Sequence, residues 1–230
     1  MKQFKIRASA AGQIMTSDRS GDGLGKTAQS YCQTWLREQL YGRQKQVESK
    51  YLQRGNESEQ DALDYVADRL GYGVLIKNEQ FFENDFMCGT PDAILNDVVI
   101  DTKCAWSWET MPIFDAECKN NDYYYQAQCY MHMTGIHSFK LCYVLLDTPA
   151  HMIEKEAYRW CVNNGYGGLD EKIHNDFIAS MTYNDVPDSL KLKVFDITYS
   201  PDSIHRIEQR VILCREYIGA VMYGAKLIIE

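Results

Sequence analysis

The stretch from Gly89 to Cys104, GTPDAILNDVVIDTKC, decides how this chain is read. Asp92 precedes a short apolar run, Asn96-Asp97 marks a turn, and a second apolar run ends in Asp101-Thr102-Lys103. Successive side chains of a strand alternate faces, so Asp101 and Lys103 fall on the same face. An Asn-Asp turn between apolar runs predicts a β-hairpin, which returns the chain so that Asp92 comes beside Asp101. Two carboxylates and a lysine on one sheet face suit a hard divalent cation and a phosphate. They are the minimum set for metal-assisted hydrolysis of a phosphodiester.

Around the hairpin the pattern alternates helices and strands. Amphipathic helices are predicted over 27–41 and 56–70, stopped by Gly42 and Gly71. Residues 74–82 predict a first strand, the hairpin supplies the second and third, and 138–146 a fourth. Between the last two, 122–134 reads as a helix ended by Gly135, after a short helix or loop at 108–117. Beyond Pro149 come a helix to about Val162, a Gly-rich break at 164–168 and a helix from about 169 to 180. A strand near 191–198 and a long helix from 201 follow. The central order, helix–strand–strand–strand–helix–strand, predicts an α/β sandwich.

At 230 residues and 45% hydrophobic content, the chain is expected to form one domain with a helical extension. It contains no run of about 18 apolar residues, so no membrane span is expected. The N-terminal MKQFKIRASAAGQIM lacks the apolar centre of a secretory signal. The eight cysteines form no CxxC pair, which argues against a zinc or iron–sulfur site and for a reducing cytosol. Net charge is -8, yet residues 1–54 carry ten Lys/Arg against four Asp/Glu. A basic N-terminal part suits a phosphate backbone; solvated helix faces explain such an asymmetry equally well.

Helical phase adds two polar candidates. Ala62, Leu63, Val66 and Leu70 follow Glu59 at helical spacing, which puts Glu59 on the buried stripe. A carboxylate there is costly unless it is paired or binds metal; the alternative is a first-turn acid favoured by the helix dipole. Gln126 shares a face with Cys129, Tyr130 and Met133, within reach of a ligand carboxylate or a bound water. Gln128, on another face, is the second choice.

Together these residues resemble the PD-(D/E)xK nuclease superfamily, most closely the lambda exonuclease / YqaJ-type viral recombinase family. The matching positions are Gly55 with Glu59 and Ala62, then Thr90-Pro91-Asp92, Asp101-Thr102-Lys103, and Gln126-Ala127-Gln128 ahead of Met131-His132-Met133-Thr134. Order and spacing hold over roughly residues 1–146. The resemblance implies a restriction-endonuclease-like core, a central mixed β-sheet flanked by helices, with a helical and stranded extension from about 147 to 230. It implies a metal-dependent exonuclease working on double-stranded DNA ends, 5′ to 3′ and processively, in phage-type recombination or repair. Two Mg²⁺ or Mn²⁺ ions are implied, held by Asp92, Asp101, the Thr102 carbonyl and Glu59. Lys103 is implied to position the attacking water, and Gln126 to support it. Ser9, with Arg7, Lys2 and Arg54, is implied to hold DNA or its 5′-phosphate. Lys2 stands where the family has arginine, and Asp101 where it usually has glutamate. The resemblance also implies a cytoplasmic homo-oligomer, a trimer by analogy, working beside a single-strand annealing protein. A structure-selective endonuclease and a non-catalytic DNA-binding module are the alternative readings.

Other features carry less. Gly21-Asp-Gly-Leu-Gly25-Lys26-Thr27 looks like a phosphate loop, but Ser20 occupies the position of the first required glycine. The five histidines show no ligand spacing. Tyr123-Tyr124-Tyr125 are expected to pack, with base stacking as the alternative, and Trp106 and Trp108 to pack, with a wedge at the duplex end as the alternative.

Overall fold

The computed structural model describes residues 2–45 and 49–225. In chain order the elements are β1 (Ile6–Arg7), a 3-10 turn, α1 (Ala11–Ile14), α2 (Lys26–Tyr41), α3 (Lys50–Glu57) and α4 (Glu59–Leu70). Next come β2 (Phe82–Glu83), β3 (Met87–Gly89), β4 (Ala93–Leu95), β5 (Val98–Cys104), α5 (Asn121–Thr134) and β6 (Ser138–Val144). The chain continues through α6 (Ala150–Asn163), α7 (Glu171–Met181), β7 (Leu192–Thr198) and α8 (Pro201–Gly224).

The central sheet has the order β4-β5-β6-β7. The β4–β5 and β6–β7 pairs are antiparallel and the middle β5–β6 pair is parallel. This is the mixed, helix-flanked sheet with a C-terminal helix that the sequence leads one to expect. Its two faces bury different residues, as the two-residue period of a strand requires. Val99, Phe139 and Leu141 pack under α5, α8, α1 and α2, whereas Ile100, Cys142 and Val144 pack under α4. Asn96 takes φ 52° at the β4–β5 turn, a left-handed conformation that asparagine tolerates.

Local chemistry sets the helix ends. The Asn120 side chain accepts from the Asp122 and Tyr123 amides and starts α5, and Gly135, at φ 73°, ends it. Ser200 caps α8 by accepting from the Ser203 amide, and Pro201 sits in its first turn.

Three expectations are corrected. The predicted strand at 74–82 reduces to a single bridge, Lys77 to Ala93, and to the pair Phe82–Glu83 in another sheet. Val74 and Ile76 are 76% and 79% exposed, so their apolar character reflects no burial. The hairpin strands begin at Ala93, because Pro91 has no N–H to give a ladder. Gly89 belongs instead to a three-stranded sheet of order β1-β3-β2. Finally, the helix predicted over 56–70 is two helices that meet at Ser58 (φ -99°, ψ 4°), so Glu59 opens α4.

The C-terminal helix is tied into the N-terminal part of the chain. Arg210, buried in α8, donates to the carbonyls of Ile14, Gly23 and Thr16, and Arg215 donates to those of Phe4 and Asp85. Thr16 and Gly23 also accept from the Gly25 and Asp18 amides, so Arg210 ties down a turn that is already closed by its own backbone. Arg210→Ala is expected to cost about 3 kcal/mol, lowering Tm by roughly 6–12 °C in calorimetry.

Candidate active site

The site is built where β4 and β5 diverge. Asp92 precedes β4, and its Oδ2 accepts from the Thr102 amide at 2.7 Å and the Thr102 hydroxyl at 3.1 Å. Both Thr102 donors visible here therefore hold Asp92. Asp101, fully buried on β5, accepts from Gln126 Nε2 at 3.2 Å through Oδ1. Its Oδ2 has the Lys103 ammonium 2.5 Å away but accepts no hydrogen bond of acceptable angle. Lys103 and Asp101 thus share a face, and the lysine also lies 5.0 Å from the centre of the Tyr123 ring.

Burial and charge crowding together set the state of the cluster. Burial, then the neighbouring Asp101 charge, push the Asp92 carboxyl up to about 7 from 3.8, with Lys103 and the Thr102 amide opposing. Lys103 goes up as well: its two carboxylate neighbours outweigh the cost of burial, so it stays a cation. Asp92 feels Glu59 too, which places that acid within electrostatic range. Glu59 is half-buried in the first turn of α4, rather than inside the core, and its Oε2 is 2.7 Å from Lys77 Nζ. Lys77 was invisible in the sequence, because its position depends on the bridge that pins it opposite Ala93.

Among the described residues no three His, Cys, Asp or Glu side chains stand close enough to form a ready-made metal cage. The donor chemistry nevertheless fits a hard divalent cation: oxygen ligands only, a buried Asp101 oxygen without a hydrogen-bond donor, and negative charge in excess. Asp92 and Asp101 would hold such an ion, with Glu59 nearest as a third acid.

The other predicted residues separate into two groups. Lys2, Arg7 and Ser9 line a cleft of roughly 1750 Å³ together with Lys5, Lys26, Arg43 and Lys45. Among the described residues only two acids, Glu38 and Glu83, join the lining, so these residues give the cleft a net positive charge. Cys88 in its wall is four residues before Asp92, which puts cleft and carboxylates on one stretch of chain. Arg54 is the correction. It is 1% exposed, donates to the carbonyls of Trp106 and Leu146, and lies 5.5 Å from the Trp106 ring, so it has no donor facing solvent. It braces the chain that leaves β5 and β6. Gln128 is likewise structural, donating to the Thr198 carbonyl and accepting from the Ser200 amide.

The profile of the YqaJ-like viral recombinase domain matches residues 1–137, the segment that holds every side chain of this site. The chain belongs to that family. Among solved structures this family member is similar to a phage-related exonuclease from Haemophilus somnus 129PT, at 23% identity and TM-score 0.77, covering 97% of both chains. It is also similar to an alkaline exonuclease, LHK-Exo, from Laribacter hongkongensis, at 18% identity and TM-score 0.65, covering 96% of this chain and 91% of that one. The same enzyme in complex with dAMP gives 18% identity and TM-score 0.64, over 97% and 95% of the two chains. At such identities the likeness is one of fold. No curated protein matches the chain.

The Asp92 shift has a sign that can be checked. Its folded value lies above the unfolded one, so its contribution to stability is full below about pH 4 and is lost as pH rises through about 7. Asp92→Asn is therefore expected to match the unmodified protein in EDTA at pH 4–5. At pH 8.5 it should be more stable, on the order of 2 kcal/mol or about 5 °C in Tm by scanning calorimetry.

Proposed function

We propose that this chain is a divalent-metal-dependent deoxyribonuclease that removes nucleotides from the ends of duplex DNA, 5′ to 3′ and processively, in phage-type recombination or repair. The observation that carries the reading is the Asp92–Asp101–Lys103 cluster, with Gln126 behind it, on the same stretch of chain as the basic cleft. The family assignment and the likeness to structures described as exonucleases support it.

A bound Mg²⁺ or Mn²⁺ pair supplies Lewis-acid stabilisation of the phosphoryl oxygens and a hydroxide at neutral pH. Asp92 and Asp101 would hold the metal, with the Thr102 carbonyl and Glu59 as the further ligands. Thr102 fixes Asp92 through its amide and hydroxyl. With a cation held at Asp101, the Lys103 ammonium would be available to orient the attacking water and to offset charge on the phosphate. Gln126 holds the inner oxygen of Asp101. Lys2, Arg7 and Ser9 take the phosphates of the bound end. Each phosphate neutralised adds about 0.9 to the salt slope of binding. By the same reading the enzyme works in the cytoplasm as a homo-oligomer, a trimer by analogy, beside a single-strand annealing protein.

Digestion of linear duplexes labelled separately at the 5′ and 3′ ends, in Mg²⁺ and in EDTA, tests this. Mg²⁺-dependent loss of the 5′ label is expected; cutting of circular DNA moves the assignment to an endonuclease, and binding without cleavage to a non-catalytic module. Lys103→Ala is expected to reduce kcat by at least about a thousandfold while sparing Mn²⁺ and DNA binding, whereas Asp101→Asn loses Mn²⁺ binding as well. Full activity of either variant overturns the site. Arg7→Ala is expected to lower the slope of log K against log salt by about 0.9 in filter binding.

A further inference from the structure

We propose that the buried Tyr130 hydroxyl is a positioning group that couples the two carboxylates, by fixing the Gln126 amide toward Asp101 and the Thr90 carbonyl ahead of Asp92. The inference rests on the reading of Asp92 and Asp101 as metal ligands.

Tyr130 lies one turn after Gln126 on α5 and is 4% exposed. Its hydroxyl donates to the Thr90 carbonyl at 2.9 Å, and Gln126 Nε2 donates to the same hydroxyl at 3.4 Å. A phenol has one proton. With that proton given to Thr90, the oxygen is left only as an acceptor, and it meets the NH₂ end of the glutamine. An amide group has two nearly isosteric orientations, and this contact selects one. The chosen orientation turns a donor toward Asp101 Oδ1, at 3.2 Å, where the flipped one would place a carbonyl oxygen against a carboxylate. At its other end the hydroxyl holds Thr90, two residues before Asp92. One buried group thus sets the approach of both acids, from β5 through the amide and from the Thr90-Pro91-Asp92 corner through the backbone.

Glycine at position 89 makes the arrangement possible. A Cβ there would stand 2.9 Å from Tyr130 Cε1 and 3.2 Å from the Ala8 Cβ, so only a bare backbone lets the ring lie this close to β3. The ring itself survives substitution by phenylalanine, and Tyr130→Phe therefore removes the hydroxyl without opening a cavity.

The test is calorimetric titration with Mn²⁺ and steady-state cleavage of linear duplex DNA, for the unmodified protein and Tyr130→Phe. Groups behind metal ligands are worth about 10- to 100-fold in affinity or activity. Tyr130→Phe is expected to bind Mn²⁺ about 10- to 100-fold more weakly, with unchanged KM for DNA and with kcat recovering at high Mn²⁺. In the double variant with Gln126→Leu, the loss should be smaller than the product of the two single losses, because both act on Asp101. Unaltered Mn²⁺ affinity in Tyr130→Phe, whether or not Tm falls, overturns the proposal and leaves the nuclease reading standing. Absence of Mn²⁺ binding in the unmodified protein overturns both.

Discussion

Asp92 and Asp101 repel each other in a partly dehydrated pocket, and much of the surrounding structure serves to keep them there. Left alone, such a pair relaxes by taking up a proton or by turning one carboxylate to solvent. Here the backbone amide and hydroxyl of Thr102 anchor one acid, Gln126 anchors the other, and the Lys103 ammonium stands against the second oxygen of Asp101. The parallel β5–β6 pair beneath them, in register from Val99 to Cys104, supplies the rigidity that anchoring needs. The proton affinity of Asp92 measures the remaining conflict. A divalent cation between the two carboxylates would relieve that conflict.

The cleft and the carboxylates are held by different parts of the chain. Lys2, Arg7 and Ser9 belong to the first few residues, and carbonyls of that part of the chain accept from Arg210 and Arg215 of α8. The carboxylates hang on β5 and on the corner before β4. Gly89 is where the two assemblies touch, with Ala8 on one side and Tyr130 on the other. The C-terminal helix therefore acts as a clasp on the N-terminal segment, and β7 and α8 contribute to the same hydrophobic core.

What could be read from the sequence followed from short-range periodicity. The two-residue period put Asp101 and Lys103 on one face, and the Asn96-Asp97 turn brought Asp92 back to them. The phase of α4 and α5 pointed Glu59 and Gln126 toward the same end of the sheet, although the break at Ser58 left Glu59 at a helix start instead of inside the core. Long-range geometry was illegible. Arg54 was expected to face DNA, and only the distant carbonyls of Trp106 and Leu146 explain its burial. Lys77 sits in the segment read as a strand, yet a single bridge to Ala93 is what fixes it beside Glu59. The strands β1, β2 and β3 have two or three residues each, too few to leave a pattern.

The clasp made by α8 has a kinetic meaning. Arg210 reaches back 196 residues to Ile14, and Arg215 reaches back 211 to Phe4. Contacts of such sequence separation form late, since the chain between them must first be ordered. During synthesis the N-terminal wall of the basic cleft therefore waits for nearly the whole polypeptide to leave the ribosome. A growing chain has its acidic hairpin long before α8 is present to clasp the wall of the cleft.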